Sequence, residues 1–402
     1  MFRFLLCLAP ALAAAEAISL PIDAIPRRVA THHPGLRAAR TAIDEAKARA
    51  SGAGRLANPR ASLDWRPQNS LNPAATVFAL EQSFPVTRRL ALEKKLGSQQ
   101  IAAATLEVRD AERRFTAEAR SLAIQILALS ARKELAAEQA SLSRSLASSA
   151  TRRAASGESP ATDATQAELD AARSDLEAAR LDGELTVQHE RLKPQLGIAP
   201  ADSLILAGSL PEPAAPSRTP AWQGRPDYQL ALARLDAAAT AADLARARRW
   251  DDWSAGLTGG PEYQRTNGST QTTGFAGLRL SVPLPLWNRN EGEIAAARAY
   301  ASRSSAELLA LGSQIAAEAE ASRREMESLA SLASRIRLSL LPAAAAQTSQ
   351  LEKAWQQGEA PFTTLLRARE QQLALRHAGL DVLRDFHLAR IRFESATAQP
   401  RP

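Results

Sequence analysis

Aromatic residues make up only 4% of this 402-residue chain, and cysteine occurs once. A hydrophobic fraction of 45%, padded with alanine and thin in rings, is poor material for a large globular core. Cys7 lies in the apolar opening run behind Leu6, not behind the small residue that lipid attachment needs, so neither a disulfide framework nor a lipidated cysteine is expected. The chain carries no phosphate-binding glycine loop, no nucleophile elbow and no zinc motif, which leaves no catalytic constellation, no cofactor and no metal centre to expect. Five histidines (His32, His33, His189, His377 and His387) share no ligand spacing with carboxylates. A stripe of one charge is missing too. The 50 Lys and Arg residues are interspersed with 43 Asp and Glu, and a net charge of +7 spread in this way does not make a nucleic-acid footprint.

What the chain does have is Ala, Leu, Glu, Arg and Gln, residues that lose little rotamer freedom in a helix, with alanines small enough for helices to approach closely. Arg3 precedes an apolar run over residues 4–15 that ends on small residues, the layout of a secretory signal over 1–17 with cleavage near Ala15 or Ala17. The run is too short to span a bilayer as a helix.

The chain is written twice. The stretch 33–46, opening on His33-Pro34 and closing on Asp44-Glu45-Ala46, returns as 225–238, from Arg225-Pro226 to Asp236-Ala237-Ala238. Leu80, Ser83, Phe84 and Pro85 return as Leu278, Ser281, Val282 and Pro283, and Gly157-Glu158-Ser159-Pro160 returns as Gly358-Glu359-Ala360-Pro361. Such self-similarity marks a structural unit that cannot bury its own surface and is completed by a copy of itself. The first repeat is expected over 18–200 and the second over 222–396, with a Pro-rich linker at 201–221 and a tail at 397–402.

Each half reads helix, two strands, very long helix, shorter return helix. Ala61, Leu63 and Trp65 alternate with Ser62, Asp64 and Arg66, the period of a strand with one apolar face, and Phe78, Leu80 and Phe84 mark its partner, giving a hairpin over 60–85. In the second half Trp253, Ala255 and Leu257 form one strand, 260–274 a polar turn, and Ala276, Leu278, Leu280 and Val282 the next, a hairpin over 252–284. About ten residues a side is the length at which a tilted strand crosses a membrane. Asp251 and Asp252, just ahead of a strand, then read as a charged collar at the membrane interface rather than as a catalytic pair. The polar loops at 69–72 and 267–270 are expected to face the cell exterior.

Between Pro85 and Gly157 there is no proline and a single glycine, Gly97, so a helix over 87–155 is permitted, roughly 100 Å long at 1.5 Å per residue. Ile101, Val108, Phe115, Leu122 and Leu129 fall seven apart, as do Leu169 and Leu176, and Leu185 and Leu192, which signals supercoiled packing on neighbouring helices. The second long helix is expected over 293–357 with a kink at Pro342, and the return helices over 161–196 and 362–396. Four strands cannot close a barrel, and strands facing lipid must leave no unpaired edge. Several chains must share one barrel; eight strands would fill their lumen with side chains, whereas twelve leave a water-filled passage.

The Pro-started helices at His33-Pro34 and Arg225-Pro226-Asp227, the run Ser281-Val282-Pro283-Leu284-Pro285-Leu286-Trp287-Asn288-Arg289-Asn290 leading into Glu293-Ile294-Ala295, and the two Gly-Glu turns resemble the TolC-like outer-membrane efflux proteins. The likeness runs through nearly the whole chain after residue 17. It implies a mainly α fold with a small β part: long antiparallel coiled-coil helices forming an α-barrel, plus four transmembrane β-strands per protomer, completed as a 12-stranded barrel in a homotrimer. It also implies a duct in the outer membrane with a large periplasmic part, docked on a periplasmic adaptor (membrane fusion) protein and an inner-membrane pump, and catalysing nothing. The run Phe84-Pro85-Val86-Thr87-Arg88-Arg89 is most similar to the CzcC-like branch, which serves heavy-metal cation pumps, though it departs from that branch's usual glycine-lysine-arginine version. A duct for type I secretion or drug efflux, or a secreted structural coiled coil, are the rival readings.

In that family the tips where long and return helices meet grip the adaptor, which here means Gly157, Glu158 and Pro160 with Gly358, Glu359 and Pro361. One turn further some relatives place acidic rings that narrow the lumen. Here Asp163 is retained, but the second half has Thr364 and Arg367, so a cation-selective acidic gate does not carry over and a basic constriction or a pairing of Arg367 takes its place.

Overall fold

A computed structural model describes residues 17–67, 74–213, 221–266 and 269–397. The loop at 69–72, most of the signal segment, and Asn267 and Gly268 lie outside them. In chain order the elements are β1 (Ala17–Pro21), α1 (Ile25–His32), α2 (Pro34–Gly52), β2 (Arg60–Arg66), β3 (Ala74–Phe84), α3 (Arg89–Ala155), α4 (Ala161–Gln195), β4 (Ser203–Ala207), α5 (Pro226–Ala247), β5 (Trp253–Thr266), β6 (Ser269–Ser281), α6 (Glu291–Arg335), α7 (Leu341–Gln356) and α8 (Phe362–Thr397).

The chain divides into two compact units, and neither is a sequence repeat. One takes residues 1–38, 109–225 and 314–402; the other takes 39–108 and 226–313. Each draws on both halves of the sequence, and in the first unit one core cluster mixes them, Leu146, Ala150 and Ala167 with Trp355, Phe362 and Leu365.

The first unit is helical. Its core joins Ile25 and Val29 of α1, Ala119, Ala123 and Ile126 of α3, and Leu192 and Leu196 at the end of α4, all nearly or fully buried. A two-stranded parallel sheet closes over this core, β1 against β4, with Leu20 opposite Leu206. The strand β4 corrects the expected linker over 201–221: Leu204 and Leu206 alternate with exposed Ile205 and Ala207, a strand pattern too short to stand out from its Pro-rich surroundings. The chain beyond it is also tied down. His387 of α8 is buried and shares a 2.8 Å hydrogen bond from Nε2 to the carbonyl of Pro211. At the head of α2, the amide of Leu36 donates to Nδ1 of His33, which places the proton on Nε2 and lets it donate to Gln195 Oε1 at 2.8 Å. His33 thus serves as a helix cap stacked on Phe115 at 4.0 Å, a packing role.

Where a kink is expected at Pro342, the helical hydrogen-bond pattern changes. Residues Ile336–Leu340 form one π turn, in which the amide of Leu341 bonds to the carbonyl of Ile336, and Pro342 opens α7 immediately after it. Proline has no amide to return to the preceding turn, and widening that turn places it at the first positions of a new helix, where no amide is needed.

The second unit holds the larger sheet, antiparallel throughout in the order β2-β3-β5-β6, with the end of α2, the whole of α5 and the starts of α3 and α6. The polar turn expected at 260–274 is instead ladder. Gly260 pairs with Phe275 and Pro261 with Gly274, and pairing continues to Thr266 opposite Ser269. Glycine and proline inside a strand carry the local chemistry of a turn, which obscured the ladder in the sequence.

Candidate functional site

The residues expected to function lie in two places, the sheet of the second unit and the helical tips of the first. In the sheet, cross-strand register puts Leu63, Phe78 and Gly259 in one row, and Ala61, Leu80, Leu257 and Leu278 in the next. Residues directly opposite share a face. On this face Leu63, Phe78, Leu80, Leu257, Leu278 and Leu280 are all more than half exposed, with Leu278 at 86%. The opposite face reads Ser62, Ala79, Thr258 and Gly277 in one row and Arg60, Glu81, Gly256 and Arg279 in another. Its side chains are mostly small, polar or charged, with Val77 and Phe275 the exceptions on the row that begins at Asp64. A sheet greasy where a soluble protein would be polar, and polar on its concealed side, has the pattern of a membrane barrel wall. Among the described residues, both outer strands, β2 and β6, have no neighbour on one side.

At the helix-linked end of the sheet, Arg89 Nη2 donates to Asp252 at 2.6 Å and Nη1 to Glu93 at 3.1 Å, while Arg248 reaches Glu93 at 3.2 Å. Of the two adjacent aspartates read as a collar, Asp252 is thereby a brace between β5 and α3, and Asp251 is exposed.

The helical tips repeat one geometry. Gly157 and Gly358 have φ of +79° and +78°, a region where a β-branched residue is strained. Behind each lies a Schellman motif: Gly157 and Glu158 donate to the carbonyls of Ala154 and Arg153, and Gly358 and Glu359 donate to those of Trp355 and Ala354. Pro160 and Pro361 then release the chain into α4 and α8, where the amides of Asp163 and Thr364 return to their carbonyls, each at 3.1 Å. The two tips are also joined. Arg153 Nη1 donates to the carbonyl of Trp355 at 2.8 Å, its guanidinium lies 5.1 Å from the Trp355 ring, and Glu158 stands 3.7 Å from its Nε. Beneath them Trp355, Phe362 and Leu365 pack against Leu146, Ala150 and Ala167.

Of the expected constriction, Asp163 is half-buried in the first turn of α4, where the helix dipole favours a carboxylate, and Thr364 and Arg367 are exposed on α8. No carboxylate pairs with Arg367 among the described residues. The Arg153 to Trp355 link was not expected. Tryptophan three residues before a tip glycine in an aromatic-poor chain is a visible signal, but nothing in a single sequence couples position 355 to 153.

Leu169 and Leu176, read as a seven-residue seam, are 67% and 72% exposed, whereas Leu192 of the same helix is fully buried. No helix among the described residues is long and apolar enough to cross a membrane, and no group of three or more His, Cys, Asp or Glu side chains among them is placed to hold a metal ion.

No family model and no curated protein matches the chain. Solved structures do. CusC, crystallised in a study of folding and transmembrane channel formation, superposes with a TM-score of 0.77 at 18% identity over 94% of this chain and 91% of its own. VceC, an outer membrane protein of Vibrio cholerae, gives 0.76 at 19% identity over 94% and 95%. The CmeC outer membrane channel of Campylobacter jejuni gives 0.76 at 11% identity over 94% and 85%. The fold of this chain is therefore that of the TolC-type channels: long α-helices with a small antiparallel sheet.

Proposed function

We propose that the protein is the outer-membrane duct of a tripartite efflux system, a passive exit that works as a homotrimer in the outer membrane, its helical part in the periplasm. The observation that carries this reading is the sheet: four strands, one exposed apolar face, one mostly small and polar face, and two edges without a neighbour among the described residues. Along the order β2-β3-β5-β6 neighbouring strands alternate in direction, so β6 of one copy meets β2 of the next in antiparallel sense and the ring closes without an edge. Three copies make twelve strands, wide enough for a water-filled lumen. The fold shared with outer-membrane channels supports the same assembly, and the exposed Leu169 and Leu176 fit a helical seam against a neighbouring copy.

In this reading the tips around Gly157, Glu158 and Pro160 and around Gly358, Glu359 and Pro361 receive a periplasmic adaptor, which couples the duct to an inner-membrane pump. Asp163, Thr364 and Arg367 then stand at the inner mouth, where the exposed Arg367 makes a basic rather than an acidic ring. Cargo is chosen by the pump. The likeness of 84–89 to the CzcC-like branch supports heavy-metal cations. Fractionation of cells expressing the full chain tests the whole: it is expected in the detergent-extracted outer-membrane fraction as a trimer. Release by salt or urea as a soluble species would overturn the reading in favour of a secreted coiled coil.

A further inference from the structure

Among the described residues, the most exposed large hydrophobic side chain is not on the sheet. Trp287 is 94% exposed, in the segment that joins β6 to α6. The apolar alternation of the sheet's exposed face does not stop where the strand stops: Leu278, Leu280, Val282 and Leu284 follow every second residue, all exposed, and β6 ends at Ser281. Pro283 and Pro285 hold this extension out of the helix that follows. Leu286 and Trp287 then turn with it, and both are open to solvent. Across the same end of the sheet Trp250, the residue just after α5 and ahead of β5, is 44% exposed.

Cations stand among these side chains. Arg88, Arg249 and Arg289 are exposed, and among the described residues none has a carboxylate partner, in contrast to Arg89 and Arg248 beside them, which are held by Asp252 and Glu93. Acids are present as well, Asp251, Glu291 and Glu293, but they do not neutralise the arginines in pairs. The frame is fixed: Asn290 Nδ2 donates to the carbonyl of Ala245 at 2.9 Å, so the Trp287 segment is tied to the end of α5, whose continuation carries Arg249 and Trp250.

We propose that this end of the sheet is a lipid-binding collar, in which Trp250, Leu286 and Trp287 enter the boundary between headgroups and acyl chains while Arg88, Arg249 and Arg289 bind the phosphates of anionic phospholipids. The inference rests on the membrane-duct reading, since the helix-linked end of a sheet with periplasmic helices meets the inner leaflet. Tryptophan at that depth has an apolar ring to bury and an N–H to leave wet, and an arginine there attracts anionic headgroups. A docking protein would be expected to cover a patch facing away from the membrane; here the patch continues the apolar face itself, and its unpaired charge is of the sign that phospholipid phosphate complements.

The test uses the full chain, purified in mild detergent and reconstituted in vesicles of phosphatidylcholine alone or of phosphatidylcholine and phosphatidylglycerol in equal parts. Wild type is expected to retain phosphatidylglycerol over phosphatidylcholine in native mass spectra, and the combined change Arg88→Gln, Arg249→Gln, Arg289→Gln to lower that preference by roughly fivefold per arginine at low salt. Trp287→Ser is expected to lower quenching of tryptophan fluorescence by brominated acyl chains, Trp250 and Trp65 accounting for what remains, and an unchanged quenched fraction overturns the placing of Trp287 in the lipid boundary. Insertion and heat-modifiable trimer should be unchanged in every variant. A wild type that inserts but shows no preference for the anionic lipid, or a triple variant that keeps it, overturns the collar and leaves the duct standing. A chain that does not enter either vesicle overturns the duct and the collar together.

Discussion

Arg153, four residues before the glycine of the first tip, donates 2.8 Å to the carbonyl of Trp355, three residues before the glycine of the second, and lies over its ring. The contact joins the two copies of the repeat at the ends of their hairpins. Removing it leaves a carbonyl at a helix end without its side-chain partner and uncovers one face of a buried tryptophan. Arg153→Ala is expected to lower the protection of the amides of Gly358 and Glu359 by the equivalent of about 1–2 kcal/mol. Hydrogen exchange followed residue by residue measures this. Unchanged exchange at both amides would show that the Schellman bonds hold the second tip alone.

At the tips themselves, the left-handed backbone is expected to matter more than space. A Cβ at Gly157 would meet nothing within 4 Å, so any cost of substitution is conformational. Gly157→Val and Gly358→Val should each cost on the order of 1 kcal/mol or more locally, whereas Gly157→Asn, which tolerates this φ, should cost little. On the proposed function both valine variants keep the membrane-inserted trimer and lose export. Resistance or export assayed beside heat-modifiable trimer on a gel decides the matter; normal export from both, or loss of folding in both, removes the tips from the docking site.

His387 makes the first unit sensitive to acid. Burial disfavours its charged form and holds its value below the usual histidine range; the hydrogen bond to Pro211 and the nearby Glu394 pull the other way, and Arg390 and Arg120 with it. A histidine depressed in the folded state contributes stability that is complete above its unfolded value, about 6.5, and is lost as pH falls through the folded one. The unit should therefore lose stability below about pH 6.5, and His387→Gln, which keeps a donor for Pro211, should flatten that part of the profile. Denaturant midpoints across pH 5–7.5 read it directly. A slope in that window identical in the variant would assign it to other groups.

The two faces of the sheet should respond in opposite ways to the same charge. Leu278→Arg puts a guanidinium on the exposed apolar face and is expected to cost about 2–4 kcal/mol near a bilayer midplane, enough to reduce insertion. Ser62→Arg puts it on the polar face, which already carries Arg60 and Arg279, and should insert normally. Outer-membrane trimer yields of the two variants provide the comparison, and equal yields would contradict the facing assigned to the strands.

Much of this was legible in the residues. The repeat named its own landmarks, the absence of proline and the single Gly97 allowed one helix from Arg89 to Ala155, and period-two alternation marked the exposed face of β2 before any neighbour was known. These are local properties, set by backbone sterics and by which side of a strand or helix each side chain leaves, so one chain read alone carries them. Where turn-forming residues run through a strand, as Gly260 and Pro261 do in β5, local chemistry points to a turn and only the ladder with β6 overrides it.

Other features needed the folded chain. The pairing of β1 with β4 spans most of the first half, the split into two units cuts across both repeats, and Arg153 finds Trp355 from 202 residues away. The same holds for His33, whose cap and stack bring together α2, α3 and α4, and for Asp252, which the sequence offered as a loose collar and the structure binds to Arg89. The sequence by itself determined the long helices, the two hairpins and the apolar alternation of their strands, because those follow from bonds between near neighbours. Only the tertiary structure decided which face meets which, because the free energy of burying a stripe depends on the partner that covers it, and a single sequence states the stripe but not the partner.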